Sequence, residues 1–242
     1  MSAGGRPVLR WVAEFGVIVV GVLVALFMES AWEGLQEQEL AAQYRERLAE
    51  EVEANRVELG RDRAFITENC RASQAAFEGL TDVVPVSADS LLRQVWAASL
   101  LNSPAFRRSV FEDLMGAGRL GLIQDADLRT RIMDYYTYVD VTRWRPREED
   151  EFRRSALREI PPLWTTEMAR RCLTLTGYGE GWMTCRVDAE VDSERVLDAI
   201  RRIPGIVAQL SERTYRSCNL ARFHDEYEAR LNALEEALGA AR

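Results

Sequence analysis

The sequence predicts an all-α protein: an N-terminal transmembrane helix continuing into an extramembrane antiparallel helical bundle, with one small disulfide-closed loop or hairpin. Three observations predict it. Residues 11–32 form an apolar stretch, two long proline-free segments carry apolar residues at helical spacing, and all four cysteines lie beyond the apolar stretch. The division that follows is a tail over 1–10, a transmembrane helix over 11–32 and a helical domain over 33–242.

The apolar stretch reads WVAEFGVIVVGVLVALFMESAW. Its unbroken core is Phe15 to Met28, and Trp11 to Ala13 extend it to about the 17–20 residues that a bilayer requires. Trp11 and Trp32 stand 21 positions apart, about 31 Å along a helix, which suits two interfacial aromatic belts. Glu14 falls one turn inside. An ionisable residue there is a functional candidate, but at this edge it can also reach headgroup water or pair with Arg10. Gly21 and Ala25 form a small-xxx-small pair that would let another span approach.

Arg6, Arg10 and the α-amino group precede the span, whereas Glu29, Glu33, Glu37 and Glu39 follow it, with no positive charge before Arg45. Positive residues near a span stay cytoplasmic, so the expected placement is a bacterial inner membrane, N-terminus cytoplasmic and C-terminal domain periplasmic. The alternative is a cleaved signal peptide. Its cleavage site would have to use Glu29-Ser30-Ala31, and Glu29 is a poor residue three positions before a cut.

The net charge of −8 argues against nucleic acid or anionic lipid as the main partner. All 31 basic residues are arginine, which leaves no lysine for Schiff-base or phosphate chemistry. Cys70, Cys172, Cys185 and Cys218 agree with an oxidising compartment, and four cysteines allow three pairings. Cys172–Cys185 would close the loop LTLTGYGEGWMT, and Cys70–Cys218 would join two long helices; this pairing is favoured. A zinc site is the rival, but it lacks any CxxC spacing and the chain has 1 histidine. No metal or other cofactor is expected.

From Leu35 to Leu80 the chain has no proline, and Ala41, Tyr44, Leu48, Val52, Asn55, Leu59, Ile66, Cys70, Ser73, Phe77 and Leu80 mark one stripe. The membrane helix should therefore run on outward as a stalk. A second helix should start at Ser87 or Asp89 and end before Asn102-Ser103-Pro104. Phe106–Met115 reads as a third, closed by Gly116 and Gly118 in positive-φ conformations. A fourth, capped by Asp125 or Asp127, runs into Trp144, with Pro146 interrupting it and REEDEFRRSALREI helical beyond. Pro161-Pro162 opens a short helix to Arg171. Asp192 or Ser193 caps another to Arg202, and Pro204-Gly205 precedes the last, Ile206–Leu238. Its stripe is Val207, Leu210, Thr214, Cys218, Ala221, His224, Tyr227, Leu231, Leu234 and Leu238, a step near 3.5 residues that suits one long partner.

Two segments, LRWVAEFGVIVVGVLVALFMESAW with the following YRERLAEE, and FEDLMGAGRLGLIQDADLRTRIMDYY from Phe111 to Tyr136, carry a resemblance. They resemble a large bacterial family of single-span envelope proteins known only as a domain of unknown function. Its second pattern contains L-x-L-I-x-D-x-x-L-R followed by paired tyrosines. The resemblance covers about a third of the chain. It implies a membrane-anchored α-helical protein and supplies no catalytic residue.

The chemical motifs are sparse. His224 lies on an apolar stripe, as a hydrogen-bonded packing residue would. No Gly-x-Ser-x-Gly or P-loop occurs, and Gly177, Gly179 and Gly181 miss the dinucleotide spacing. The run Glu148-Glu149-Asp150-Glu151 among arginines reads as a solvated helix face. Tyr135, Tyr136, Tyr138, Trp144, Trp164 and Trp182 are the notable aromatic residues. Most should be core or amphipathic packing, and any left exposed beside arginines would be candidate interface residues. The expectation is a non-catalytic accessory or structural subunit stabilising a larger photosynthetic, respiratory or transport complex. Its partners would be other integral membrane subunits and the lipid bilayer, not nucleic acid, and a homo-oligomer is possible. The alternative is a ligand-binding or sensory helical module working through a membrane partner.

Overall fold

Two helices set the architecture: α1, Arg6–Leu80, and α8, Ile206–Ala240. The computed structural model describes residues 6–102, 104–143, 150–174, 177–179 and 181–240. Trp144 and Pro146 therefore lie outside the described residues, as do the side chains of Trp11, Glu14 and Ala221. Helix α1 is unbroken over 75 residues, about 112 Å at the standard rise. Its N-terminal part is long and apolar enough to cross a membrane, and no protein covers it. Phe27, Met28 and Trp32 are 75%, 66% and 65% exposed, and Gly21 and Ala25 are exposed as well. Such a contiguous apolar surface needs a non-aqueous neighbour. The first buried residue of α1 is Ala41, nine residues or about 14 Å above Trp32, so a short bare stalk separates the apolar part from the bundle.

Around this pair stand α2 (Ala88–Ala98), α3 (Ser109–Gly116), α4 (Ala126–Arg143), α5 (Glu151–Glu159), α6 (Pro162–Cys172) and α7 (Ser193–Arg201). A two-stranded antiparallel hairpin, β1 (Leu173–Thr174) and β2 (Gly177–Tyr178), follows α6, with Leu173 opposite Tyr178. The sequence explains most of these starts. Ser87 caps α2, accepting from the Ser90 N–H; Asp192 caps α7, accepting from Arg195 N–H; and Asp125 Oδ1 accepts from Asp127 N–H and Leu128 N–H at the start of α4.

Helices α1 and α8 run antiparallel in one register. Arg56 bonds Asn232 and Glu235, Arg63 bonds Glu228 and Asp225, and Asn69 meets Ser217. The Cys70–Cys218 disulfide, with Cα atoms 4.8 Å apart, fixes it. The second disulfide joins Cys172 to Cys185 and closes the hairpin. Both bridges are those the sequence favours.

The apolar core comes in two parts, one above the other. The part nearer the apolar end of α1 joins Tyr44, Leu48 and Val52 of α1 to Phe111, Ile132 and Leu234 of α3, α4 and α8. The distal part joins Ala76 and Leu80 to Leu92, Trp96, Phe152 and Trp164. Between them lies a waist of buried polar groups, including Asp62, Asn69, Ser73, Ser217 and His224.

Several expectations need correction. Helix α3 starts at Ser109, not Phe106, because Asn55 occupies both backbone groups of Arg107 and denies them to a helix. Gly116 is the last residue of α3, and only Gly118 takes the left-handed conformation, φ 65°. Arg119–Leu122 then forms a 3-10 turn that periodicity does not reveal. Of the acidic run, Glu148 and Glu149 lie outside the described residues, and Asp150 is not on a solvated face. Asp150 caps α5 through the Arg153 N–H and lies 3.0 Å from Arg213 Nη1, both side chains about nine-tenths buried. Val207 is 37% exposed, since the distal core closes on Ile206 and Leu210 instead.

Candidate functional site

The polar waist is built largely by a stripe of α1 of which the apolar periodicity includes Asn55 alone. Glu51, Asn55, Glu58, Asp62 and Asn69 are spaced four, three, four and seven apart, so they share a face beside the apolar one. All reach the stretch that runs from the end of α2 to the start of α3. Glu51 Oε2 accepts from Ser109 Oγ and from the Val110 N–H at 2.9 Å, while its Oε1 accepts from Tyr136 Oη at 2.5 Å. Asn55 Nδ2 donates to the Arg107 carbonyl at 2.8 Å, and its Oδ1 accepts from the Arg107 N–H at 2.6 Å. Glu58 accepts from the Ala105 N–H, and Asp62 from Asn102 Nδ2. A non-helical segment pressed into a bundle leaves backbone groups that must find partners. Here α1 supplies many of them, joined by Arg213 of α8 and by Tyr178.

At the centre of the waist, Asn69 Nδ2 donates to the Ala97 carbonyl at 2.8 Å, and its Oδ1 accepts from Ser217 Oγ and Arg213. Arg213 also donates to the carbonyls of Ala98 and Leu100. Burial lowers the Arg213 pKa, and Asp150 opposes that shift. His224 Nε2 lies 3.1 Å from Asp62 Oδ2, with both side chains over nine-tenths buried. The single histidine is thus held between α1 and α8 as a packing residue with a polar partner, as its place on the stripe suggests.

The aromatic residues singled out as interface candidates are mostly inside. Tyr135 and Tyr136 are 0% exposed, Trp164 3% and Trp182 6%. Tyr135 and Tyr136 face the proximal core because α4 turns that side to α8, and they stack edge-on with each other while Tyr136 lies flat on Phe111 at 4.3 Å. Trp164 meets Trp96 edge-on in the distal core. Among the described candidates only Tyr138 is half-exposed, with Arg230 4.2 Å over its ring. Burial raises the pKa of Tyr135, Tyr136, Tyr178 and Tyr227.

The hairpin leans on α1. Tyr178 stacks on Phe65 at 5.1 Å and donates to the Ala97 carbonyl, and Trp182 packs against Tyr178 and donates its indole N–H to Glu68 at 3.0 Å. Between α1 and this hairpin runs an open cleft of about 760 Å³, with Val57, Gly60 and Ala64 along one side and Tyr178, Trp182 and Met183 along the other. That volume falls within the usual range for ligand sites. The spacing of Gly177, Gly179 and Gly181 suggests a loop tip, but Gly177 opens β2 and Gly179 and Gly181 follow that strand, and the segment packs on α1 to wall a cleft. Among the described residues, no group of three or more His, Cys, Asp or Glu is placed to hold a metal ion.

Comparisons with family profiles, with curated proteins and with solved structures found no match to this chain.

Proposed function

We propose that this chain is a non-catalytic, single-pass membrane subunit whose helical domain stands outside the cytoplasm and stabilises a larger membrane assembly. The observation that carries this is the continuity of α1. One helix without a hinge runs from a bare apolar segment into a bundle tied to it by a disulfide and a ladder of buried hydrogen bonds. Such a device transmits position from a bilayer to a fixed height above it. Arg6 and Arg10 before the span favour a cytoplasmic N-terminus, and two disulfides favour an oxidising space, such as a periplasm, for the domain.

Two measurements test it. A periplasm-active reporter fused after the last residue should be active, and purification from native membranes in mild detergent should retain a partner in fixed stoichiometry. Recovery of the chain alone would overturn the proposal. A second reading, a ligand-binding or sensory module, draws on the cleft beside Tyr178 and Trp182. A small molecule that raises the melting temperature of the wild type, but not of a Gly60→Trp variant, would favour it.

A further inference from the structure

We propose that the cleft between α1 and the disulfide-closed hairpin is the docking groove for a helix of a different membrane-anchored subunit, with basic residues on that helix's membrane-proximal half. This rests on the reading of the chain as an accessory membrane subunit and names the surface it would use.

The groove follows α1 from Val57 to Glu68, about 16 Å along the axis. A docked helix reads such a groove with anchors at i, i+3, i+4 and i+7, a span of about 10.5 Å, so the length suffices for one full set. Its floor is level because Gly60 has no side chain, and a Cβ built there would meet nothing within 4 Å. Val57, 46% exposed, and Ala64 continue the floor. The opposite wall is fixed rather than adaptable, since the Cys172–Cys185 bridge, the Tyr178–Phe65 stack and the Trp182–Glu68 bond hold it against α1. A pre-formed groove lowers the ordering cost of binding.

Charge selects the occupant. Toward the membrane the same exposed stripe of α1 continues as Glu53, Glu50 and Glu46, three successive helical steps without a basic residue between them on that face. Within the groove, Arg61 and Glu68 stand beside the floor and are paired locally with Glu58 and Arg71, so the unpaired charge lies on the membrane-proximal glutamates. Two copies of this chain, anchored at the same height and parallel, would set these glutamates opposite their own counterparts, an unfavourable like-charge arrangement. A helix with arginine or lysine on its membrane-proximal half is complementary instead.

The test uses full-length protein purified from native membranes. Gly60→Trp and Val57→Arg should each cut recovery of the stoichiometric partner at least tenfold, leaving the melting temperature and helical content unchanged. Val84→Arg, at the exposed turn beyond α1, should leave recovery as in the wild type. A photo-crosslinking residue at position 57 should attach to positions three or four apart within one segment of a second polypeptide, with basic residues on its membrane-proximal side. Undiminished recovery with both groove variants would overturn the inference while the subunit reading stands, and so would crosslinks joining two copies of this chain or a crosslinked segment that is acidic toward the membrane. If no partner is recovered with the wild type, both fall.

Discussion

Replacing Glu51 with alanine probes the ladder that ties α1 to the rest of the bundle. Glu51 is 4% exposed and accepts from three donors. Ser109 is exposed and regains water when the carboxylate goes. The Val110 N–H and Tyr136 Oη are buried and do not. Each buried donor left without an acceptor costs about 1–3 kcal/mol, and removing one partner of a buried charged group lies at the upper end of single-site effects. The expected loss for Glu51→Ala is therefore about 3–5 kcal/mol. Glu51→Gln keeps one acceptor oxygen but turns an NH2 toward one of the two donors, so about 1–2 kcal/mol is expected. Combining Glu51→Gln with Tyr136→Phe should be less destabilising than the sum of the single changes, as contacting partners require. The measurement is urea unfolding of the full chain in detergent, followed by circular dichroism. The exposed neighbour change Glu50→Ala, expected within about 0.5 kcal/mol of wild type, is the control. If Glu51→Ala proves no worse than Glu50→Ala, the account of α1 as a source of partners for segment 97–110 is wrong.

Other outcomes follow from the same geometry. Replacing Cys70 and Cys218 together by serine should cost about 5 kcal/mol, and Cys172 with Cys185 about 3, on the chain-entropy scale. The sequence separations are 148 and 13, and equal losses in unfolding experiments under non-reducing conditions would contradict that scale here. Asn69→Ala should destabilise by about 2–4 kcal/mol, because Ser217 and Arg213 lose a shared acceptor at the waist; a loss below about 1 kcal/mol would show that water replaces it. Stability should also fall in alkali. Tyr135, Tyr136, Tyr178 and Tyr227 have folded pKa values raised by burial, so their neutral forms stabilise the fold fully below the unfolded tyrosine value near pH 10. Above it the unfolded chain releases protons that the folded chain retains, and stability drops with rising pH by up to about 1.4 kcal/mol per unit for each tyrosine. A melting temperature that stays level from pH 9 to 11 would refute this.

The sequence by itself determined most of the helices and several of their starts. Ser87, Asp125 and Asp192 are capping residues whose side chains satisfy local N–H groups, and local chemistry is written in local order. The apolar run before Trp32 and the spacing of Tyr44, Leu48, Leu231 and Leu234 likewise state which surface avoids water. With two cysteines on those stripes, the α1–α8 register was within reach too. What only the tertiary structure decided is where polar residues go. Glu51, Asp62 and Asn69 have the composition and spacing of a solvated face, and only the docking of segment 97–110 makes them buried acceptors and donors. The same holds for the aromatic residues. Tyr135 and Trp182 carry no mark of core or surface until α4 and the hairpin turn toward α8 and α1, because a side chain that is both apolar and hydrogen-bonding suits either place. The cleft belongs wholly to that second level, since its two walls lie more than 100 residues apart along the chain and meet only when the hairpin folds back on α1.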